Sequence, residues 1–197
     1  MADDALGPAH PLPSMRRQVV PSGVLGMIIF IIAESMFFAG LISAFIIIKA
    51  GTIGGWPPAN QPRLPVEMTA INTTALLLSA VTLWLSNRAF RSQNMLTAKS
   101  WLALTIALGG FFVAFQGAEW VGLIRQGLTV TSSSLGSFFY LIIGSHALHA
   151  IVALLVLGYT FAQLRKGSLD RYTYLPAQLF WYFVVLLWPM LYWKVYF

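Results

Sequence analysis

Four ionisable residues lie inside long apolar runs, where few sequences tolerate them: Glu34, Glu119, His146 and His149. Charged and titratable groups in hydrocarbon are costly, so they face protein or water and mark either function or helix locking. Glu34 falls about eleven residues into the first run, ~16 Å deep at 1.5 Å per residue. His146 and His149 fall about eleven and fourteen residues into the fourth run, entering from the opposite side, so they reach a similar depth. Glu119 comes late in the third run, three residues after Gln116. Three chemistries are open to this set. A mid-membrane carboxylate relays protons or holds an ion. Two imidazoles at i and i+3 share a helix face and can ligate a metal or haem. The plainest reading is that the side chains tie helices together by hydrogen bonds, each worth roughly 1–2 kcal/mol or less. One His pair without further carboxylates or thiols is a poor transition-metal site, so no metal site is assigned. Glu34 is expected to be buried in protein and paired with His146 or His149.

The elements that position these residues follow from composition. Of 197 residues, 58% are hydrophobic and only 9% charged, against roughly 25% charged in soluble domains. Twelve Lys+Arg and six Asp+Glu cannot cover a soluble globule of this size, and the mean hydropathy is +0.75. Aromatics at 14% exclude intrinsic disorder. The chain is therefore read as an integral membrane protein. Cysteine is absent, which excludes disulfides, thiolate nucleophiles, iron–sulfur clusters and cysteine-attached haem. The third histidine, His10, lies in the N-terminal tail. The net charge of +6 comes from cations scattered through loops, with no basic, aromatic-interleaved stripe, so nucleic acid is not a partner.

Five apolar runs read as transmembrane helices, at about 23–48, 66–85, 101–124, 135–164 and 175–197. Each crosses ~30 Å of hydrocarbon at 1.5 Å per residue. Residues 1–22 form a proline-stiffened surface tail that lacks the pattern of a cleavable signal, with Met1 expected near the mature end. The fold expected is all-α, a bundle of five transmembrane helices in one domain, 23–197. Arg16, Arg17, Arg88, Arg91, Lys99, Arg165, Lys166 and Arg171 share one side, eight cations against four (Lys49, Arg63, Arg125, Lys194). The positive-inside rule then places the N-terminus in the cytoplasm and the C-terminus outside. Trp56, Trp120 and Trp193 fall at the outer interface or against lipid. In the third run Ala103, Ala107, Gly110, Ala114 and Ala118 form a small-residue seam, expected to admit another backbone closely. Thr73, Thr74, Ser79 and Thr82 in the second run are expected to bond back to their own helix.

The order of motifs carries a resemblance. "AESMFFAGLISAF", "GGWPP" with "LPVEMTAINTTALLLSAVTLW", "FFVAFQGAEW", "GSFFYLIIGSHALHAIVALLVL" and "FWYFVVLLWPMLYWKVYF" follow one another over residues 20–197. In that order they resemble subunit III of the haem–copper respiratory oxidases, in particular the cytochrome c oxidase subunit III family in a five-helix form. Two positions depart from the family pattern. Tyr182 stands where the family usually has His, and Val185 where it usually has Asp. Many members also have two further helices ahead of this region. The lipid-holding cleft that those two form is expected to be absent here or completed by another subunit.

The resemblance implies an accessory role in a proton-pumping terminal oxidase of aerobic electron transport. It implies haem and copper on partner subunits, none on this chain, with phospholipid as a further associated component. It implies packing beside subunit I, contact with subunit II and other oxidase subunits, and support of stability, lipid placement and proton uptake. The location implied is the bacterial cytoplasmic (inner) membrane, multi-pass. No catalytic centre is assigned to this chain, which has no nucleotide loop and no nucleophile beside a base. Glu34, Gln116, Glu119, His146 and His149 are read as buried polar, structural residues, and Gly110, Ala114 and Ala118 as subunit or helix packing residues. The Trp-Pro-Pro loop points to the cytochrome c branch. The alternatives are a subunit of a quinol oxidase or nitric oxide reductase homologue, and an independent channel using Glu34.

Overall fold

The computed structural model describes residues 21–52 and 64–196. The described residues form five helices: α1 (Ser22–Gly51), α2 (Val66–Arg91), α3 (Met95–Arg125), α4 (Ser134–Lys166) and α5 (Arg171–Tyr196). All five are long and apolar enough to cross a membrane. Trp56, the Trp-Pro-Pro loop and His10 lie outside the described residues.

Several helices run past the expected apolar limits. α2 continues to Arg91, α3 begins at Met95 and α5 at Arg171. Hydropathy marks where the hydrocarbon ends, whereas a helix ends where a cap stops it. Between α2 and α3 only Ser92–Asn94 intervene; Gln93 takes a left-handed φ of 60° and Asn94 accepts from Thr97 N at 3.2 Å. Ser133 opens α4 by accepting from Gly136 N at 3.1 Å. Gly167, at φ 72°, closes it in the left-handed conformation that glycine adopts without steric cost. Asp170 caps α5 by accepting from Tyr172 N and Thr173 N. That cap starts the helix ahead of Pro176, which lies inside α5 and leaves the Tyr172 carbonyl without its intrahelical N–H.

α5 is the centre of the bundle and packs against α1, α2 and α4; α3 packs against α2 and α4. α1 is peripheral and, among the described helices, touches only α4 and α5. The core pattern on α5 is a seven-residue repeat of Tyr174, Trp181, Trp188 and Val195, all buried. Three of these are aromatic and polar-tipped, and a buried tip needs an acceptor. α2 supplies them in antiparallel register. Trp188 Nε1 donates to Thr73 Oγ1 at 2.8 Å, Trp181 Nε1 to Ser79 Oγ at 3.0 Å, and the Tyr174 hydroxyl pairs with Ser86 Oγ at 2.8 Å. The same face of α2 reaches α3. Asn72 Nδ2 donates to Phe112 O at 3.1 Å, Thr82 pairs with Thr105 at 2.8 Å, and Ser86 Oγ donates to Ala98 O at 2.9 Å. Thr73, Thr74, Ser79 and Thr82 do bond back to α2, as expected. Three of them also bridge helices, because a hydroxyl that donates backwards still has lone pairs to accept with.

The small-residue seam of α3 is not its packing face within the chain. Ala103, Ala107, Ala114 and Ala118 are exposed, Gly110 is half-buried, and a Cβ at Gly110 would meet nothing within 4 Å. α3 instead buries Ala98, Leu102, Thr105, Gly109, Phe112 and Gln116. That face carries the hydrogen-bonding partners of α2, and Gly109 admits the Trp181 ring. One residue of offset is about 100° of helix rotation, enough to take the seam out of the interface.

Candidate functional site

Glu34 and Glu119 anchor two separate groups, one between α1 and α4 and one where α2, α3 and α5 meet. On the α1 side, His149 Nε2 lies 3.1 Å from Glu34 Oε2. α1 buries Phe38, Ile42 and Phe45 against its neighbours. Glu34 is one helical turn before Phe38, so it reaches the same side. The other ring nitrogen, Nδ1, is 2.7 Å from Ser145 O, the carbonyl one turn earlier in α4. A carbonyl only accepts, so Nδ1 carries a hydrogen. Nε2 and the carboxyl oxygen can then approach only with a proton between them. Phe30, Phe38 and Phe180 surround the imidazole at ring-centroid distances of 6.4, 5.5 and 6.4 Å.

The expected Glu34–histidine pair therefore forms, with His149. Full burial of Glu34 does not: its side chain is 22% exposed. α1 has neighbours on one side only, which leaves the far edge of the carboxyl group uncovered.

His146 is fully buried but makes no hydrogen bond among the described residues. This corrects its reading as a hydrogen-bonding lock. Three residues along a helix turn the side chain by about 300°, so His146 points some 60° away from His149. It meets α3 and α5 instead of α1, lying 5.0 Å from the Trp188 ring and 6.4 Å from Phe112. It packs there as an aromatic plate.

The second group closes one end of the bundle. Glu119 accepts from Thr69 Oγ1 at 3.1 Å and from Gln116 Nε2 at 3.1 Å. Gln116 Nε2 also reaches the Tyr196 hydroxyl at 3.5 Å, and Tyr192 donates to Val66 O at 2.9 Å. Glu119 and Gln116 thus join α2, α3 and α5, as helix-locking residues do. Trp193 is exposed, and Trp120 is half-buried and edge-on to Tyr140, with centroids 5.8 Å apart. Among the described residues no group of three or more His, Cys, Asp or Glu converges as a metal site would require.

Sequence reasoning missed the α2–α5 rungs. Their signal was present in the seven-residue spacing of Tyr174, Trp181 and Trp188, which puts three polar-tipped rings on one face.

The family described as "Cytochrome c oxidase subunit III" matches residues 13–197. The chain belongs to the cytochrome c oxidase subunit III family. It is similar to the probable cytochrome c oxidase subunit 3 of Nocardia farcinica, 32% identical over 88% of this chain and 86% of that one. The corresponding protein of Mycobacterium leprae is 30% identical over the same shares. Cytochrome c oxidase subunit 3 of Oryctolagus cuniculus is 33% identical over 87% of this chain and 67% of its own length. Against the family pattern, Val185 is wholly buried in the apolar core and Tyr182 is half-buried. A polar network does run through the last helix, by way of Tyr174, Trp181 and Trp188 instead of positions 182 and 185.

Proposed function

We propose that the chain is the accessory third subunit of a proton-pumping terminal oxidase in a bacterial cytoplasmic membrane. In this reading it seats against the subunit that carries the haems and copper, with subunit II and lipid as further neighbours. The observation that carries it is the family match over residues 13–197, almost the whole chain. The bundle is built for support. Many of its buried polar groups are spent on helix-to-helix contacts, from Glu119 with Thr69 and Gln116 to the rungs on α2. The Glu34–His149 contact, partly exposed at the edge of α1, sets a carboxyl group beside an imidazole within the apolar spans, which supports a part in proton uptake. The excess of cations at the α2–α3 and α4–α5 turns supports a cytoplasmic N-terminus.

The test is purification through an affinity tag on this chain in mild detergent. The expected outcome is co-purification with a haem-absorbing, oxygen-consuming complex. Isolation of the chain alone, with proton conductance when placed in liposomes, would favour an independent channel and overturn the proposal.

A further inference from the structure

Among the described residues, five buried side-chain atoms lack a hydrogen-bond partner. Four of them belong to three residues that line a single recess: Gln116 Oε1, Trp120 Nε1 and both ring nitrogens of His146. Native proteins rarely leave buried polar atoms unpaired, and several orphans around one space point to something that fills it. The recess lies between α3 and α4, with Trp188 of α5 at its back, and has a volume of about 130 Å³. That is far more than one water needs and close to the ~150 Å³ of a cavity that admits a benzene ring. Gln116 and Trp120 are one turn apart on α3, and His146 is the group on α4 among the lining residues that can complete the set. Gly117 and Ile151, also in the lining, are exposed on the outer faces of α3 and α4. The mouth therefore opens sideways, towards the bilayer.

The lining decides the chemistry of the occupant. It is almost wholly apolar and contains no Asp, Glu, Lys or Arg, so a charged headgroup would lose its hydration without gaining a counter-charge. The polar atoms offer a donor that cannot accept (the Trp120 N–H), an acceptor that cannot donate (Gln116 Oε1), and an imidazole that does one at each nitrogen. A hydroxyl group, which accepts and donates, can take the indole N–H and serve one of the acceptors at the same time. An apolar site with a few convergent polar atoms is the usual form of a small-molecule pocket.

We propose that this recess binds a neutral, hydroxyl-bearing amphiphile that enters from the bilayer between α3 and α4. The hydroxyl oxygen accepts from Trp120 Nε1 and donates to Gln116 Oε1 or to His146. The apolar body lies across Ile151 and out into the lipid. The inference needs only that the chain spans a membrane and is independent of its place in an oxidase.

The experiment photolabels membranes containing the full chain with a diazirine-bearing octanol and maps the label by mass spectrometry. Expected is saturable labelling confined to residues 112–120 and 143–151, suppressed at least fivefold by excess 1-octanol and not by octane. Ile151→Trp, which fills the mouth from an exposed position and leaves the polar atoms in place, should abolish saturable labelling. Gln116→Leu with Trp120→Phe should lower it at least fivefold. Competition by 1,2-dioctanoylglycerol would identify a glycerolipid backbone as the natural source of the hydroxyl. Competition by a short-chain benzoquinol alone would identify a quinol. Label spread evenly over the lipid-facing residues would mean that water alone fills the recess, and would overturn the proposal. Equal displacement by octane, or indifference to Ile151→Trp, would overturn it as well.

Discussion

Gly109 and Gly110 are neighbours on α3 with opposite surroundings, and replacing each by alanine separates packing from helix propensity. A Cβ on Gly109 would lie 2.5 and 2.7 Å from two carbons of the Trp181 ring and 2.8 Å from a methyl of Leu154. Carbon atoms rest at about 3.5–4.0 Å, so something must move by roughly 1 Å. Trp181 is completely buried and tethered to Ser79 by its indole N–H at 3.0 Å, so it cannot swing away cheaply. Overpacking of this kind costs about 1–3 kcal/mol. Alanine also gains about 1 kcal/mol over glycine inside a helix. That gain applies equally at Gly110, where a Cβ meets nothing within 4 Å. The difference between the two variants therefore isolates the steric term, ~1–3 kcal/mol, or roughly five- to more than a hundredfold in the unfolding equilibrium. Unfolding of each variant in mixed micelles, titrated with dodecyl sulfate and followed by tryptophan fluorescence, reads this difference. In a Trp181→Phe background, where the far edge of the indole is gone, Gly109→Ala should cost much less than in the parent. Equal stability of the Gly109 and Gly110 variants, or no relief from Trp181→Phe, would refute the assignment of Gly109 as the seat of that ring.

Glu34→Gln should keep a hydrogen bond to His149 and leave stability within about 0.5 kcal/mol, whereas Glu34→Leu should cost ~1–2 kcal/mol, measured by the same titration. His146→Ala with His149→Ala should leave the haem and copper content of the purified complex unchanged and weaken retention of this chain. Loss of one haem or copper per complex would make the pair a metal site. On topology, Ser92→Cys should resist a membrane-impermeant thiol reagent added to intact cells while Thr52→Cys reacts; the reverse would invert the cytoplasmic N-terminus.

Some of this was legible in the sequence and some was not, for physical reasons. Five spans follow from solvent alone, because hydrocarbon demands long apolar helices whatever packs beside them. The Glu34–His149 pair was readable from depth, since a carboxyl group at mid-membrane needs a partner at its own level. Which histidine it takes was not, because depth says nothing about rotation, and His146 turns out to face α3 and α5 instead of α1. That the α3 seam has no partner within the chain was not readable for the same reason. Small residues show where a backbone can approach, but Gly109, one position from Gly110, is where the Trp181 ring actually enters. The family motifs flagged positions 182 and 185. The rings that tie α5 to α2 sit at 174, 181 and 188, where only spacing marked them.

The peripheral seat of α1 has a consequence for how the chain is made. α1 leaves the ribosome first, yet the helices it touches, α4 and α5, leave last. While it waits it must be stable as a lone span in lipid, and it is the most apolar of the five. α2 and α3 are less apolar, but a three-residue turn joins them and Asn72 and Thr82 bond directly to α3. They can enter as a hairpin whose polar groups are already paired. α5 is the least apolar and carries two internal prolines, and it is synthesised when the α2 acceptors for its indoles and phenol are in place. At the two ends of the chain hydrophobicity thus follows the wait for partners, α1 being the most apolar span and α5 the least, whereas α4, nearly as apolar as α1, departs from that order.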